Sequence, residues 1–283
     1  APKGGIIAEQ TISRINKEHF LLMGAIGSEV KDYQWLEWHI GELNVTIENL
    51  TEEWGGLLLT GPEARNVLSQ CTQEDLSNNA FSWLSCKTIK IDSADVFAMR
   101  VSYAGELGWE LHMPSWQVIS IYESLFEMGS PLGLKDFGGQ AFNSMRLEKM
   151  YRAYGAEFTE EISALEAGME RFLDLNRDFI GADNIRERMS SGIKTKLAYL
   201  IFDDQIPAEC FGNEAVFSDG ELTGIITSGA YGYRVGHSIA FAYLKTEHCN
   251  DGVNLTVETS LGSRSCHVSM NASYDQNNEK LCS

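Results

Sequence analysis

The sequence predicts an α+β fold with a small β-barrel at its C-terminal end. Three observations carry that prediction. Strand-like and helix-like patterns alternate as far as residue 190, composition shifts at Ser190-Ser191-Gly192, and the rest is short strand-like runs punctuated by Gly, Asn and Asp. A boundary near residue 193 follows, with an α+β region over 1–192 and a barrel domain over 193–283. The 283 residues are enough for both.

Ile6–Ile15 and His19–Met23 read as two strands around the polar turn Asn16-Lys17-Glu18. Val45, Ile47 and Leu57–Leu59 suggest further strands, stopping at Gly61. Pro62 stands where a helix favours its first residue, and Ala64, Val67, Leu68 and Cys71 then recur at helical spacing. Ile89 and Ile91 alternate on one strand, and Val96–Tyr103 forms another. Ser115 can cap a helix with Val118, Ile119, Tyr122, Leu125 and Phe126 as its buried stripe and Gly129 as its stop. A further helix, Gly138–Tyr151, turns Ala141, Phe142 and Met145 inward. That order of elements is the alternation of a split βαβ unit. The barrel strands are Leu197–Phe202, Ala215–Phe217, Gly224–Thr227, Ser238–Tyr243, Val253–Val257 and Ser265–Met270.

A hydrophobic content of 43% with 10% aromatics describes an ordinary globular protein. The net charge of −18 argues against a nucleic-acid partner, which needs basic patches to release counterions from phosphates. A local basic pocket can still hold a small anion. The densest apolar run, Gly56–Thr60, is strand-length, so no membrane partner is expected. Six cysteines without CxxC spacing read as reduced thiols in a reducing compartment. The sequons at Asn44, Asn49, Asn254 and Asn271 read as chance matches without a signal peptide beside them. Ala1-Pro2-Lys3-Gly4-Gly5 leads straight into a strand-like run, which reads as a chain entered within a domain.

Several chemistries have no motif here. No GxGxxG follows a strand, and there is no GxxxxGK[ST] loop, HExxH or GxSxG. No metal site is expected: in His248-Cys249 and Cys266-His267 adjacent side chains leave an extended strand on opposite faces, so each pair offers one ligand. Glu52-Glu53, Glu160-Glu161 and Asp203-Asp204 read as solvated turn charges.

The segment Val101–Leu111, VSYAGELGWEL, holds two glycines three apart between strand-like flanks. By itself it reads as a tight hairpin, with Glu106 facing solvent and Trp109 filling the core. Tyr103 and Glu110 stand at its two flanks. A carboxylate placed there can accept parallel hydrogen bonds from a heterocycle's N–H and amino group, a strong and geometrically selective pairing.

VSYAGELGWELHMP, followed by SMRLEKMYRAYG (Ser144–Gly155) and SALEAGM (Ser163–Met169), resembles the folate-binding half of sarcosine and dimethylglycine dehydrogenases. That half is related to the aminomethyltransferase of the glycine cleavage system. Lys3–Ser13, GGLLLTGPEARNVL, EDLSNNAF, DFIG, TGIITSGAYGYRVGHSIAFAYL and YDQNN match in the same order, covering nearly the whole chain. The resemblance implies a cloverleaf of two interleaved α+β lobes with a C-terminal barrel, incomplete at the N-terminus. It implies binding of a reduced folate, tetrahydrofolate, and capture of a one-carbon unit as 5,10-methylenetetrahydrofolate. FAD would sit on a flavin-dependent oxidoreductase domain or subunit outside this chain. The compartment implied is a mitochondrial matrix, or else a bacterial cytoplasm.

By the same resemblance, Glu110 matches the acid that binds the pterin N3–H and 2-amino group, and Tyr103 packs on or hydrogen-bonds to the ring. Arg146 either contacts the folate or forms a helix-surface salt bridge with Glu148 or Glu166. Glu9, in GGIIAEQT, stands where the glycine-cleavage relative carries Asp and is the candidate general base, one methylene longer. Ala164 replaces a Pro usual in the family, implying a looser turn. Two other readings stay open. One is a non-catalytic regulatory homologue, such as a pyruvate dehydrogenase phosphatase regulatory subunit; the other is an aminomethyltransferase proper.

Overall fold

A computed structural model describes residues 1–208 and 210–283. Its contacts divide the chain into two compact units, Ala1–Glu9 with Gln140–Gln276, and Gln10–Gly139 with Asn277–Ser283. The second is called the sheet unit below and the first the barrel unit.

The sheet unit opens with a hairpin, β1 (Gln10–Arg14) paired antiparallel to β2 (Phe20–Gly24). Its turn is the expected one: the Asn16 side-chain oxygen accepts the N–H groups of Glu18 at 2.9 Å and His19 at 3.0 Å. The first strand begins at Gln10 rather than Ile6. Residues Glu29–Ile40 form α1, which carries no apolar stripe for sequence periodicity to find. Val30 and Trp38 are 69% and 74% exposed, and the buried residue is Asp32, which accepts the Ser28 hydroxyl at 2.7 Å. Val45 and Ile47 lie in irregular chain, not in a strand.

Next come β3 (Trp54–Thr60), α2 (Ala64–Cys71), β4 (Cys86–Ile91), β5 (Ala94–Met99), β6 (Gly108–Pro114) and α3 (Val118–Gly129). The strands form one sheet in the order β3–β6–β5–β4, all neighbours antiparallel. Trp109, Leu111 and Met113 alternate along β6 into a core shared with Val67 and Leu68 of α2 and Ile121 and Leu125 of α3. All four expected α2 positions are buried. The stripe of α3 is rotated from expectation: Ile121 is buried and Ile119 is 71% exposed. A 3₁₀ turn at Ser115–Gln117 precedes the helix, and Ile121 and Leu125 follow Val118 at spacings of three and four. Ser115 caps nothing; its hydroxyl donates to the Glu52 carbonyl at 3.2 Å.

In the barrel unit, β7 (Thr195–Phe202), β8 (Ala215–Ser218), β9 (Glu221–Gly232), β10 (His237–Lys245), β11 (Asn254–Thr259) and β12 (Gly262–Ser269) close in the order β10–β7–β12–β11–β8–β9. Each arises from one of the expected runs, and Leu200, Phe202, Val216, Ile226, Leu244 and Val257 fill the interior. The α+β class with a C-terminal barrel is thus observed. Closure removes the sheet edges that would otherwise stand unpaired.

Before the barrel come α4 (Gly139–Glu148) and α5 (Ala182–Ser191). The expected inward face of α4 is wrong. Ala141 is exposed, while Ser144, Arg146, Leu147 and Glu148 are buried. Charges occupy that face because each meets a partner: Glu148 pairs with Arg234, and Lys149, just past the helix, pairs with Asp275 at 3.3 Å. Asp204 also departs from its reading as a solvated turn charge. It takes a bidentate grip from the buried Arg264, Nη2 at 2.6 Å and Nε at 3.0 Å. All six cysteines are unpaired. Among the described residues no helix is long and apolar enough to cross a membrane.

Candidate functional site

The sheet unit positions Tyr103 and Glu110. β5 and β6 pair Met99 with Glu110, so residues 100–107 form the connection between them, longer than the tight turn expected. The Leu107 carbonyl accepts the Gly61 N–H at 2.9 Å and the Thr60 hydroxyl at 3.2 Å, while the Thr60 and Ser102 hydroxyls lie 3.1 Å apart. Gly105, at φ 73, provides the left-handed residue the connection requires. Glu106 is 8% exposed, so it does not face solvent as expected, whereas Trp109 fills the core as expected.

Alternation sends Glu110 to the face opposite Trp109, alongside Leu58 of β3 and Met99 of β5. Its half-buried carboxylate has one side-chain partner among the described residues, His112 Nε2 at 3.4 Å. Both carboxylate oxygens therefore retain acceptor capacity. The same face carries Met99, whose sulfur accepts the Ser13 hydroxyl of β1 at 2.9 Å. Tyr103 is half-buried in the connection.

The barrel unit brings Glu9 and Arg146 together with a residue that sequence reasoning missed. Arg146 is 4% exposed and is no surface salt bridge. Its Nε donates to Asn143 at 2.9 Å, Nη1 to the Tyr151 carbonyl at 2.8 Å and Glu157 at 3.1 Å, and Nη2 to Ser228 at 3.0 Å. Its carboxylate is Glu157, neither Glu148, which holds Arg234, nor Glu166, which holds Arg188 at 2.8 Å. Glu157 also accepts the hydroxyls of Thr227 at 2.7 Å and Ser228 at 2.5 Å and the Ala153 N–H at 2.9 Å. No sequence signal marked Glu157: the burial of Arg146 that calls for a buried acid is visible only in the structure.

Glu9 senses this network. Crowding by protein pushes its carboxyl pKa up, a hydrogen bond from the Tyr154 backbone N–H and the Arg146 charge oppose that, and the Glu157 charge adds to it. The Glu9 side chain is nonetheless exposed to solvent. Beside the network lies a cavity of about 350 Å³ whose lining includes Gly155, Phe211, Asn213, Ile225, Thr227 and Tyr243. Thr227 and Tyr243 both bond to Glu157, the tyrosine through the Glu157 carbonyl at 2.7 Å. Among the described residues no cluster of His, Cys, Asp and Glu can hold a metal ion.

An antiparallel sheet backed by helices and a closed six-stranded barrel define an α+β protein. Comparison with known proteins narrows this. Residues 1–177 match the GCVT N-terminal domain, and residues 196–275 match the glycine cleavage T-protein C-terminal barrel domain. The chain belongs to the glycine cleavage T-protein family. It is 39% identical over 262 residues to mitochondrial dimethylglycine dehydrogenase of Homo sapiens, across 91% of this chain and 30% of that protein. It therefore spans about a third of such relatives' length. It is 30% identical over 256 residues to an aminomethyltransferase of Thermoanaerobacter pseudethanolicus, across 90% of this chain and 68% of that one. The crystal structure of the glycine cleavage system aminomethyltransferase T of Bartonella henselae superposes with a TM-score of 0.84 at 21% identity, over 97% of this chain and 74% of that one. That last likeness establishes the fold.

Proposed function

We propose that this chain binds tetrahydrofolate and transfers a one-carbon unit to it, yielding 5,10-methylenetetrahydrofolate, as the folate domain of an N-methylamine dehydrogenase acting on sarcosine or dimethylglycine. Its family membership, with 39% identity to a dimethylglycine dehydrogenase along 91% of the chain, carries this reading. A flavin, FAD, would belong to an oxidoreductase domain or subunit outside these residues. A mitochondrial matrix suits the mitochondrial relatives, and a bacterial cytoplasm suits the aminomethyltransferases. The barrel's proposed boundary near residue 193 falls between the two family matches, which end at 177 and begin at 196.

The residues take separate roles. In the sheet unit, Glu110 accepts the pterin N3–H and 2-amino group, for which its unused lone pairs suit it, and Tyr103 packs on or bonds to the ring. In the barrel unit, Glu9 accepts the proton released as folate nitrogen takes up carbon. Folate itself supplies the N5 and N10 nucleophiles. Four of the five Arg146 N–H donors are committed within the protein, which favours a positioning role over contact with folate.

A second reading, an aminomethyltransferase proper, rests on the 30% identity over 256 residues to the bacterial enzyme. Calorimetric titration with tetrahydrofolate tests what both readings share. Saturable binding is expected, weakened by more than ~1.4 kcal/mol, a tenfold loss, in Glu110→Ala. Absence of binding to the folded, full-length protein rejects both.

A further inference from the structure

Glu110 and His112 stand two residues apart on β6, so both project from the face opposite Trp109, Leu111 and Met113. There the imidazole Nε2 lies 3.4 Å from Glu110 Oε2, the one side-chain contact of that carboxylate among the described residues. The ring has a fitted seat. Its cross-strand neighbour on β3 is Gly56, where a Cβ would come within 3.1 Å of His112 Nδ1 and 3.2 Å of Cε1. Its neighbour on β5 is the buried Phe97. Both members of the pair stay half-buried, open enough to meet a ligand.

We propose that His112 is a positioning residue for Glu110: seated on Gly56, its Nε2–H donates to one carboxylate oxygen and fixes the plane in which the carboxylate meets the paired donors of a pterin. This rests on the reading of Glu110 as the pterin acid. A glutamate turns about three side-chain bonds, and a ligand that needs both oxygens side by side must arrest them all. A partner that arrests them beforehand removes that cost from binding. The proton must sit on Nε2 when the ring is neutral, since a carboxylate only accepts. One bond to Oε2 leaves Oε1 and a second site on Oε2 for the ligand, so the two engagements do not conflict.

The test is a double-mutant cycle read by calorimetric titration of the full-length protein with tetrahydrofolate. His112→Phe keeps an aromatic ring and removes the donor, and is expected to weaken binding roughly threefold to tenfold, the worth of one hydrogen bond. His112→Gln restores a donor and is expected to recover most of that loss. In a Glu110→Ala background, His112→Phe is expected to change affinity by less than about twofold, because its effect passes through the missing carboxylate. Equal losses in both backgrounds overturn the proposal, as does no loss in the otherwise unaltered protein. Without folate, the carbon-13 signal of the Glu110 carboxyl, assigned by its absence in Glu110→Ala, is expected to move in His112→Phe and to return towards its original position in His112→Gln. A signal that stays put in His112→Phe also overturns the proposal. If Glu110→Ala binds tetrahydrofolate as tightly as the unaltered protein, the pterin-acid reading fails, while the carbon signal decides whether His112 holds the carboxylate.

Discussion

Two helices of similar length, α2 in the sheet unit and α4 in the barrel unit, bury opposite kinds of face. α2 turns Ala64, Val67, Leu68 and Cys71 inward, whereas α4 turns Ser144, Arg146, Leu147 and Glu148 inward. The first face is stabilised by removing apolar area from water, and its quality depends on fit alone. The second loses the hydration of each charge and regains it through named partners: Glu157 for Arg146, and Arg234 for Glu148. Leu147 alone packs conventionally, against Tyr199, Ile239 and Phe241 of the barrel. The apolar face thus tolerates conservative change, while the charged one fails when a single partner goes.

Breaking one partner sharpens that contrast most. Arg146→Met strands the Glu157 carboxylate without its counterion and is expected to cost about 3–5 kcal/mol in urea-induced unfolding. A cost under ~1 kcal/mol would mean that the hydroxyls of Thr227 and Ser228 satisfy Glu157 by themselves. Leu68→Ala, at a fully buried α2 position, is expected to cost about 2–5 kcal/mol by leaving a cavity, with a conservative Leu68→Met costing under ~1.5 kcal/mol.

The contrast also explains how much was legible in the sequence. α2 and the six barrel strands follow hydrophobic spacing, and spacing revealed them. α1 buries Asp32 and exposes Val30 and Trp38, so no stripe marked it. The inward face of α4 was misassigned because periodicity treats every apolar residue as buried and every charge as exposed. Tyr103 and Glu110 stood out through a motif, and Glu106 showed that an acid in a connection need not face water. Glu157 carried no motif, since its importance lies in pairings among residues as distant in sequence as Arg146, Thr227 and Ser228.

A smaller effect separates buried from accessible groups in both units. Burial pushes the thiol pKa of Cys71 in the sheet unit up to about 11, and those of Cys210 and Cys266 in the barrel unit up to about 12. At pH 8 all three are thiols, so a disulfide reagent should modify them at least about tenfold more slowly in the native protein than after unfolding. Equal rates would mean that the cores open readily. The smallest effect concerns the half-exposed Asp204, whose carboxyl is held below the usual range by hydrogen bonds from Arg264. A carboxyl lowered by folding stabilises the protein above its ordinary pKa, near ~4, and loses that contribution as pH falls through the lowered value. Asp204→Asn should therefore destabilise the protein at neutral pH and leave acid unfolding less steep; an unchanged acid transition would remove Asp204 from it.

Glu110 stands apart from the satisfied acids of the α4 region, for its carboxylate has one side-chain partner among the described residues, at 3.4 Å, and lies on the sheet face opposite the core. If that carboxylate is kept for a ligand, its loss should be felt in binding and hardly in folding. The decisive measurement is the affinity of the folded Glu110→Ala protein for tetrahydrofolate. A loss of tenfold or more, with stability within ~0.5 kcal/mol of the parent, is the predicted result. An unchanged affinity would contradict the assignment of Glu110 as the pterin acid.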